Sequence, residues 1–217
     1  MAAVLRIRRC GACVRGPSAS RARASPRSPH RALRAVPAQE HIHHGLWRPG
    51  QESMSKEDAQ VALVDEMIRA AKLPKGAKVL DVGCGVGGTS IKLAMAGHSV
   101  TGVSLSPVQV GMAKENLAKL APAGTAVRFL EMDGEKLDFP GEDGTFDAVW
   151  ISEALSHFPH KELFFAHAVR LLKPGGKWVC VDWFKADQLS DAHEKGVIAD
   201  IERGSASEPD RRAHLRA

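Results

Sequence analysis

A cluster of glycines follows a short apolar run in the middle of the chain. The run is Val79-Leu80-Asp81-Val82, and Gly83, Gly85 and Gly88 follow it with the spacing GxGxxG. Glycines let the backbone approach a ligand closely, and the start of a helix offers unpaired N–H groups to an anion. The pattern therefore predicts a strand, a ligand-binding loop and a helix, with a dinucleotide as the first candidate ligand. A tight turn without a ligand is the alternative.

The residues around this loop favour a different ligand. A dinucleotide site expects an acidic residue about 20 positions further on, at the end of the next strand, where it holds the ribose. The chain has Ser104-Leu105-Ser106 there instead. Asp81 lies two residues before the first glycine, where a carboxylate can meet an amino group. An amino acid joined to a nucleoside, as in S-adenosylmethionine, fits this arrangement because helix N–H groups can also meet its carboxylate.

Several segments resemble the class I S-adenosylmethionine-dependent methyltransferases. Val79–Gly85 is similar to their first motif, and Arg170–Gly176 resembles the turn before their fifth strand. Three further segments resemble the tocopherol-type group, which is related to sterol C-methyltransferases and cyclopropane fatty acid synthases: His41–Gly45, Gly102–Gln109 and Phe146–Trp150. The resemblance covers roughly residues 40–203.

The resemblance implies S-adenosylmethionine as the cofactor and a set of residues that hold it. Asp81 would hold the amino group, Gly83 and Gly85 would back the methionine part, and Ser104 with Gln109 would hold the ribose. Asp133 would accept from the adenine amino group. The predicted cofactor-binding residues are Asp81, Gly83, Cys84, Gly85, Gly87, Ser104, Gln109, Asp133, Gly134 and Ser152. Plain structural roles are the alternative, since a serine before Pro107 can cap a helix and Asp133 can order a turn.

Candidate catalytic groups follow the predicted fourth strand. Methyl transfer from a sulfonium chiefly needs alignment and a dry pocket, and a base helps where the acceptor is a phenol. By resemblance, Glu153 and His157 fall on the acid and the histidine of the family. His157 is the first candidate for a base or substrate-orienting group and Glu153 the second, and the two share a face if the segment is helical. Ser156 departs from the acid that the family places before the histidine, and a structural role is the alternative for His157.

A group of histidines precedes the glycine loop. His41, His43 and His44 lack a spaced partner set, so no metal site is predicted. The resemblance implies that this segment, with Trp47, closes over the cofactor near the acceptor.

Alternating helical and strand patterns predict the fold class. We expect an α/β fold with a doubly wound, mainly parallel sheet, because crossover helices between strands favour this arrangement. The five predicted strands are Lys78–Val82, Ser99–Leu105, Val127–Met132, Phe146–Ile151 and Lys177–Asp182. Predicted helices begin at Ser55, after the glycine loop, at Pro107 and near Leu163, and another spans Leu189–Glu202. The resembling family has seven strands, so the chain is expected to be truncated after the fifth.

Composition divides the chain into three regions. Residues 1–39 hold nine arginines and no acidic residue, which is typical of an organellar transit peptide or a disordered leader. The methyltransferase domain is predicted to span residues 40–203, and residues 204–217 are predicted to be a disordered tail. If residues 1–39 are a targeting sequence, the protein is expected in a plastid or a mitochondrion. If they are not, the cytoplasm is the expected location.

Charge and hydropathy exclude some partners. The net charge is +5, but residues 40–217 hold 21 basic and 25 acidic residues, a net charge of −4 that argues against nucleic-acid binding. The longest apolar stretches are strand-sized, so no transmembrane segment is predicted.

The predicted function is methylation of a small molecule, such as a prenylated phenol or a sterol-like lipid. A non-catalytic cofactor-binding fragment is the main alternative; a nicotinamide oxidoreductase and an RNA methyltransferase are less favoured.

Overall fold

The computed structural model describes residues 3–9 and 43–183. The chain forms two compact units, Leu5–Asp182 and a second unit of Met1–Val4 with Trp183–Ala217, and nearly all of the second lies outside the described residues. The strands are β1 (Ala3–Arg9), β2 (Lys78–Val82), β3 (Ser99–Ser104), β4 (Val127–Glu131), β5 (Phe146–Ser152) and β6 (Leu172–Trp183). The helices are α1 (Lys56–Ala71), α2 (Gly88–Met95), α3 (Pro107–Leu120) and α4 (Lys161–Leu171), with one turn of 3₁₀ helix at Leu155–His157.

The strands form a single sheet in the order β1-β6-β5-β2-β3-β4. The pairs β2–β3, β2–β5, β3–β4 and β5–β6 are all parallel. Strands of one direction bring their carboxyl ends to one edge, and β2 lies where the strand order reverses. Ligands bind at such switch points in open α/β sheets. The predicted doubly wound, mainly parallel sheet is confirmed.

Local sequence signals explain where the helices begin. Ser55 caps α1 by accepting a hydrogen bond from the Asp58 N–H at 3.0 Å, as its position before the helix predicts. Pro107 stands in the first turn of α3, where a missing N–H costs nothing, and Ser106 caps that helix. Predicted and observed helix starts therefore agree at both positions.

Two apolar clusters hold the helices on the sheet. One joins α1 and α2 to the sheet and centres on the fully buried Met67, Val79 and Trp150. The other packs α2 and α3 against β4 through Ile91, Ala113 and Phe129, and Cys84 belongs to it. The burial of these side chains holds α1, α2 and the loop residue Cys84 against the sheet.

The structure departs from the predicted elements at two strands. β6 begins at Leu172 rather than Lys177, and its register jumps from Leu172 opposite Phe146 to Lys177 opposite Ala148. The turn predicted before the fifth strand, which contains Pro174, Gly175 and Gly176, is therefore an irregularity within β6. β1 is a sixth strand in a region predicted as a leader, and the predicted helix at Leu189–Glu202 lies outside the described residues.

Candidate functional site

The glycine loop leaves the end of β2 in a left-handed conformation. Gly83, Gly85 and Gly87 have φ angles of +75°, +55° and +90°, which side chains rarely adopt. The Gly83 and Cys84 N–H groups each donate to the Val103 carbonyl at 2.9 Å, and Gly87 precedes the first turn of α2. The loop therefore ties the carboxyl ends of β2 and β3 together and directs the N-terminus of α2 toward them.

Asp81 provides a carboxyl group just before this loop. The residue is 2% exposed and accepts a hydrogen bond from Ser90 Oγ at 2.5 Å. Burial raises the pKa of Asp81 to about 6, because the charged form loses its hydration, and the Ser90 hydrogen bond opposes that rise only in part. A cationic partner would favour the ionised form, so the site suits an ammonium group.

Cys84 lies within the loop and is buried. Its Sγ contacts the Gly85 carbonyl at 3.7 Å, and burial with the nearby Asp81 carboxylate raises the pKa of the thiol. A thiol held in its neutral form is a poor nucleophile. Cys84 can therefore line the loop but is not suited to covalent catalysis.

Ser104 and Gln109 are joined at the end of β3. Ser104 Oγ donates to Gln109 Oε1 at 2.8 Å, and the Gln109 N–H donates to Ser106 Oγ at 3.3 Å. Ser106, rather than Ser104, is therefore the serine that caps the helix. The structure brings the two predicted ribose ligands together in a neutral pair.

Asp133 and Gly134 follow β4 in a turn. Asp133 accepts a hydrogen bond from the Glu135 N–H at 2.9 Å and pairs with Lys136 at 3.3 Å. A side chain at Gly134 would meet the Phe158 ring at 2.4 Å, so the turn packs tightly on the segment after β5. The turn-ordering role weighed for Asp133 is observed, and its contact with adenine stays a prediction.

Ser152 ends β5, the strand beside β2. Its hydroxyl oxygen is buried and has no hydrogen-bond partner among the described residues. Nearby, a Cβ placed on Gly83 would lie 2.4 Å from Ala154 Cβ, which shows how closely this segment packs on the glycine loop. A buried hydroxyl without a partner is costly, and a ligand could supply the missing hydrogen bond.

Glu153 and His157 do not share a helical face. Glu153 has φ +51° and lies outside the single 3₁₀ turn that contains His157. The Glu153 carboxylate is hydrogen-bonded to His44, with 2.6 Å between Oε2 and Nδ1. The condition for an i, i+4 pair, a helical segment from Glu153 to His157, is therefore not met, because the chain turns sharply at Glu153. His157 is exposed, and its N–H donates to the Ala154 carbonyl.

One buried residue of the site was not predicted from the sequence. Asp182, near the end of β6, accepts hydrogen bonds from the N–H groups of Leu155 at 2.8 Å and Ser156 at 3.3 Å. It thereby fixes the 3₁₀ turn that carries His157. An acidic residue at the carboxyl end of an apolar strand is the sequence signal that could have found it.

These residues fit S-adenosylmethionine. Asp81 can pair with the amino group of this ligand, and the N–H groups at the start of α2 can bind its carboxylate. The unpartnered hydroxyl of Ser152 can donate a hydrogen bond to the ligand or accept one from it. The neutral Ser104–Gln109 pair takes the place where a dinucleotide site carries an acid.

Within residues 3–9 and 43–183, no group of three histidine, cysteine or acidic side chains is arranged to hold a metal ion. In that same part of the chain, no helix is long and apolar enough to span a membrane.

Comparison with known proteins points to the same chemistry. A sequence family described as a methyltransferase domain matches residues 79–176. The 2-methyl-6-phytyl-1,4-hydroquinone methyltransferase of Synechocystis sp. is 40% identical over 154 residues, which cover 68% of this chain and 46% of that protein. The chloroplastic tocopherol O-methyltransferase of Arabidopsis thaliana is 37% identical over 155 residues, covering 66% of this chain and 44% of that protein.

This chain belongs to the class I S-adenosylmethionine-dependent methyltransferase family. It is close to the tocopherol-type members, and the cofactor of the family is S-adenosylmethionine. The chain spans about half the length of the curated relatives it matches. Its own activity and substrate are therefore considered below as proposals.

Two solved structures support the fold. The cyclase SpnF has a TM-score of 0.62 at 30% identity, covering 69% of this chain and 54% of its own. Phosphoethanolamine N-methyltransferase 2 of Haemonchus contortus, solved with S-adenosyl-L-methionine, has a TM-score of 0.54 at 26% identity, covering 63% of this chain and 32% of its own. The first is similar in fold yet named for a different reaction.

Proposed function

We propose that this chain binds S-adenosylmethionine at the carboxyl edge of its sheet and methylates a small molecule. The observation that carries the proposal is the buried Asp81 carboxyl at the end of β2, beside a glycine loop and next to a neutral Ser104–Gln109 pair. This combination favours a ligand that carries an ammonium group and a ribose over a nicotinamide dinucleotide. The similar relatives, which are named as methyltransferases, support the same reaction class.

The proposed roles of the individual residues follow from their positions. Bound S-adenosylmethionine supplies an activated methyl group, so the protein needs to align the acceptor and exclude water. Asp81 holds the ammonium group, and Ser104 and Gln109 hold the ribose hydroxyls. Asp133 and Gly134 bind the edge of the adenine. Ser152 hydrogen-bonds to a polar atom of the same ligand. Cys84 and the glycines of the loop provide the close backbone surface. These assignments are proposals that the geometry supports.

His157 is the proposed base or substrate-orienting group. It is exposed just after the carboxyl end of β5, on a turn that Asp182 holds in place. If the acceptor is a phenol, its hydroxyl loses a proton as the methyl group is transferred, and a neutral imidazole can accept that proton at physiological pH. Glu153 is less suited to this role because its carboxylate is bonded to His44.

A prenylated phenol is the proposed acceptor class. The relatives named for phytyl-hydroquinone and tocopherol methylation support this choice, and others named for sterol methylation support an apolar acceptor more broadly. The test incubates the 217-residue chain with methyl-labelled S-adenosylmethionine and a prenylated hydroquinone, with the same hydroquinone lacking the prenyl chain as control. Label in the prenylated product and not in the control supports the proposal, and His157→Ala is expected to reduce its rate about 100-fold or more.

A second candidate is cofactor binding without methyl transfer. It is favoured by the similarity to SpnF, which is named a cyclase, because one fold can carry several chemistries. Binding of S-adenosylmethionine with no label in any acceptor would favour this candidate. Absence of nucleic-acid binding stays a prediction from the charge of residues 40–217.

The proposed location is a plastid. The Arabidopsis relative is named chloroplastic, and the arginine-rich residues 1–39 have a composition typical of transit peptides. A fluorescent protein fused behind residues 1–39 should enter isolated plastids. Uptake by mitochondria alone, or by neither organelle, would contradict this location.

A further inference from the structure

Glu153 connects the sheet to the chain before α1. The His44 main-chain N–H donates to both Glu153 carboxylate oxygens at 3.1 Å, and the His44 ring Nδ1 lies 2.6 Å from Oε2. The Glu153 side chain is 10% exposed while that of His44 is 60% exposed. A nearly buried carboxylate requires hydrogen bonds, and His44 provides two donors, a main-chain N–H shared between both oxygens and the ring nitrogen.

The backbone at Glu153 is unusual for this residue type. Its φ angle of +51° lies in the left-handed region, which is unfavourable for a residue with a side chain. The Glu153 N–H donates to the Val181 carbonyl at 2.7 Å, which anchors this conformation on β6. Strained backbone that neighbours hold in place is found most often at functional sites.

The His43–Leu46 segment is held to α1 on its other side. Gln60 Nε2 donates to the His43 carbonyl at 2.5 Å, and the Leu46 N–H donates to the Ala59 carbonyl at 2.8 Å. A side chain at Gly45 would meet Ala59 Cβ at 2.5 Å. The segment thus lies between α1 and the carboxyl edge of the sheet, and His44 hydrogen-bonds to Glu153 at that edge.

The contact lies beside the proposed cofactor site. Ser152, with its unpartnered hydroxyl, precedes Glu153, and Ala154, which packs on Gly83, follows it. A shift of the Glu153 backbone would therefore move Ala154 and change its packing against the glycine loop. A shift of the His43–Leu46 segment would open this edge of the sheet to water.

We propose that Glu153 is a positioning residue that holds the His43–Leu46 segment against the cofactor site, and that tight cofactor binding depends on this contact. The proposal rests on the proposed function, because it concerns the same site. It assigns Glu153 a role through His44 and leaves proton transfer to His157.

The test compares the full-length chain with Glu153→Gln, His44→Ala and the double variant. Glu66→Gln is the matched control, because Glu66 on α1 pairs with Arg48, just beyond the segment, and its loss changes the charge equally. Hydrogen exchange of the His44 and Leu46 amides without ligand reports whether the segment is held. Calorimetric titration with S-adenosylmethionine reports binding, and the urea midpoint reports overall stability.

We expect Glu153→Gln to speed exchange of the segment and to raise the Kd for S-adenosylmethionine about tenfold, which is the loss typical of a charge-assisted hydrogen bond. His44→Ala removes the ring contact but keeps the main-chain N–H, so its effect on both readouts should be smaller. The double variant should bind no worse than Glu153→Gln alone, because both changes act on the same contact. Glu66→Gln should leave both readouts unchanged.

Three outcomes would overturn the proposal. Additive losses in the double variant would show that Glu153 and His44 act separately. A lower urea midpoint with a Kd within twofold of the control would show a purely structural role. A wild-type chain that protects these amides from exchange but does not bind S-adenosylmethionine would overturn the proposed function and, with it, the link to binding.

Discussion

At the residue scale, two polar side chains at the carboxyl ends of neighbouring strands are poorly satisfied without a ligand. Asp81 on β2 is buried with one hydrogen bond from Ser90, and burial raises its pKa to about 6. Ser152 on β5 has a buried hydroxyl with no partner among the described residues. A ligand bound at this edge would complete the hydrogen bonding of both groups.

Ser152→Ala should separate ligand binding from stability. Because the hydroxyl is unpartnered, its removal should leave the free energy of unfolding unchanged or raise it by up to about 1 kcal/mol. The same change should weaken S-adenosylmethionine binding about threefold to tenfold, since the ligand loses one neutral hydrogen bond. Urea unfolding and calorimetric titration measure the two quantities.

Ser90→Ala is the matched control for this prediction. It removes a hydroxyl that is already bonded to Asp81, so it should lower the free energy of unfolding by about 1 kcal/mol. A Ser152→Ala variant that loses as much stability as Ser90→Ala, with unchanged affinity, would show that Ser152 is structural.

At the scale of elements, the loop between β2 and α2 depends on glycine for two separate reasons. Gly83 has φ +75°, and the space that its Cβ would occupy is filled by Ala154, whose own Cβ would be 2.4 Å away. Gly97, after α2, also has a positive φ of +93°, but no atom other than those of the glycine and its chain neighbours lies within 4 Å of the Cβ position. The two positions therefore differ in packing while sharing a left-handed backbone.

Gly83→Ala should destabilise the protein more than Gly97→Ala. Both should lose about 1–2 kcal/mol from the left-handed backbone, and Gly83→Ala should lose about 1–3 kcal/mol more from the steric overlap. Adding Ala154→Gly to Gly83→Ala should recover much of that extra loss. Urea unfolding checks the series, and equal losses at the two glycines would contradict the observed packing.

The sequence predicted the regular elements better than the contacts between them. The strand at β2 was predicted with its observed bounds, because an apolar run ends there at glycine, and the starts of α1 and α3 followed from Ser55 and Pro107. The Glu153–His44 contact joins residues 109 apart in sequence, so no local pattern reveals it. The left-handed turn at Glu153 was also missed, since side-chain-bearing residues rarely adopt it.

In the whole molecule, the parallel sheet brings residues from distant motifs of the sequence together at one edge. Asp81, Ser104, Asp133 and Ser152 lie in different parts of the sequence, and each lies at or just beyond the carboxyl end of a strand of the same direction. The strand order could be expected from the fold class, and it brings their carboxyl ends to one edge. The bounds of the predicted leader and tail stay predictions, because they rest on composition.

We propose that this edge of the sheet binds S-adenosylmethionine with an ionised Asp81. In the free protein a carboxyl with a pKa of about 6 is mostly protonated at pH 5 and mostly ionised at pH 7.5. Only the ionised form suits an ammonium group, so affinity should rise with pH through this range. The apparent Kd scales inversely with the competent fraction, which gives about a tenfold difference between the two pH values.

The most direct measurement is calorimetric titration of the full-length chain with S-adenosylmethionine at pH 5 and pH 7.5. We expect binding that is about tenfold tighter at pH 7.5, weaker binding with little pH dependence for Asp81→Asn, and no binding of NADH. A folded chain that binds NADH, or that binds S-adenosylmethionine equally well with Asp81 or Asn at this position, would contradict it.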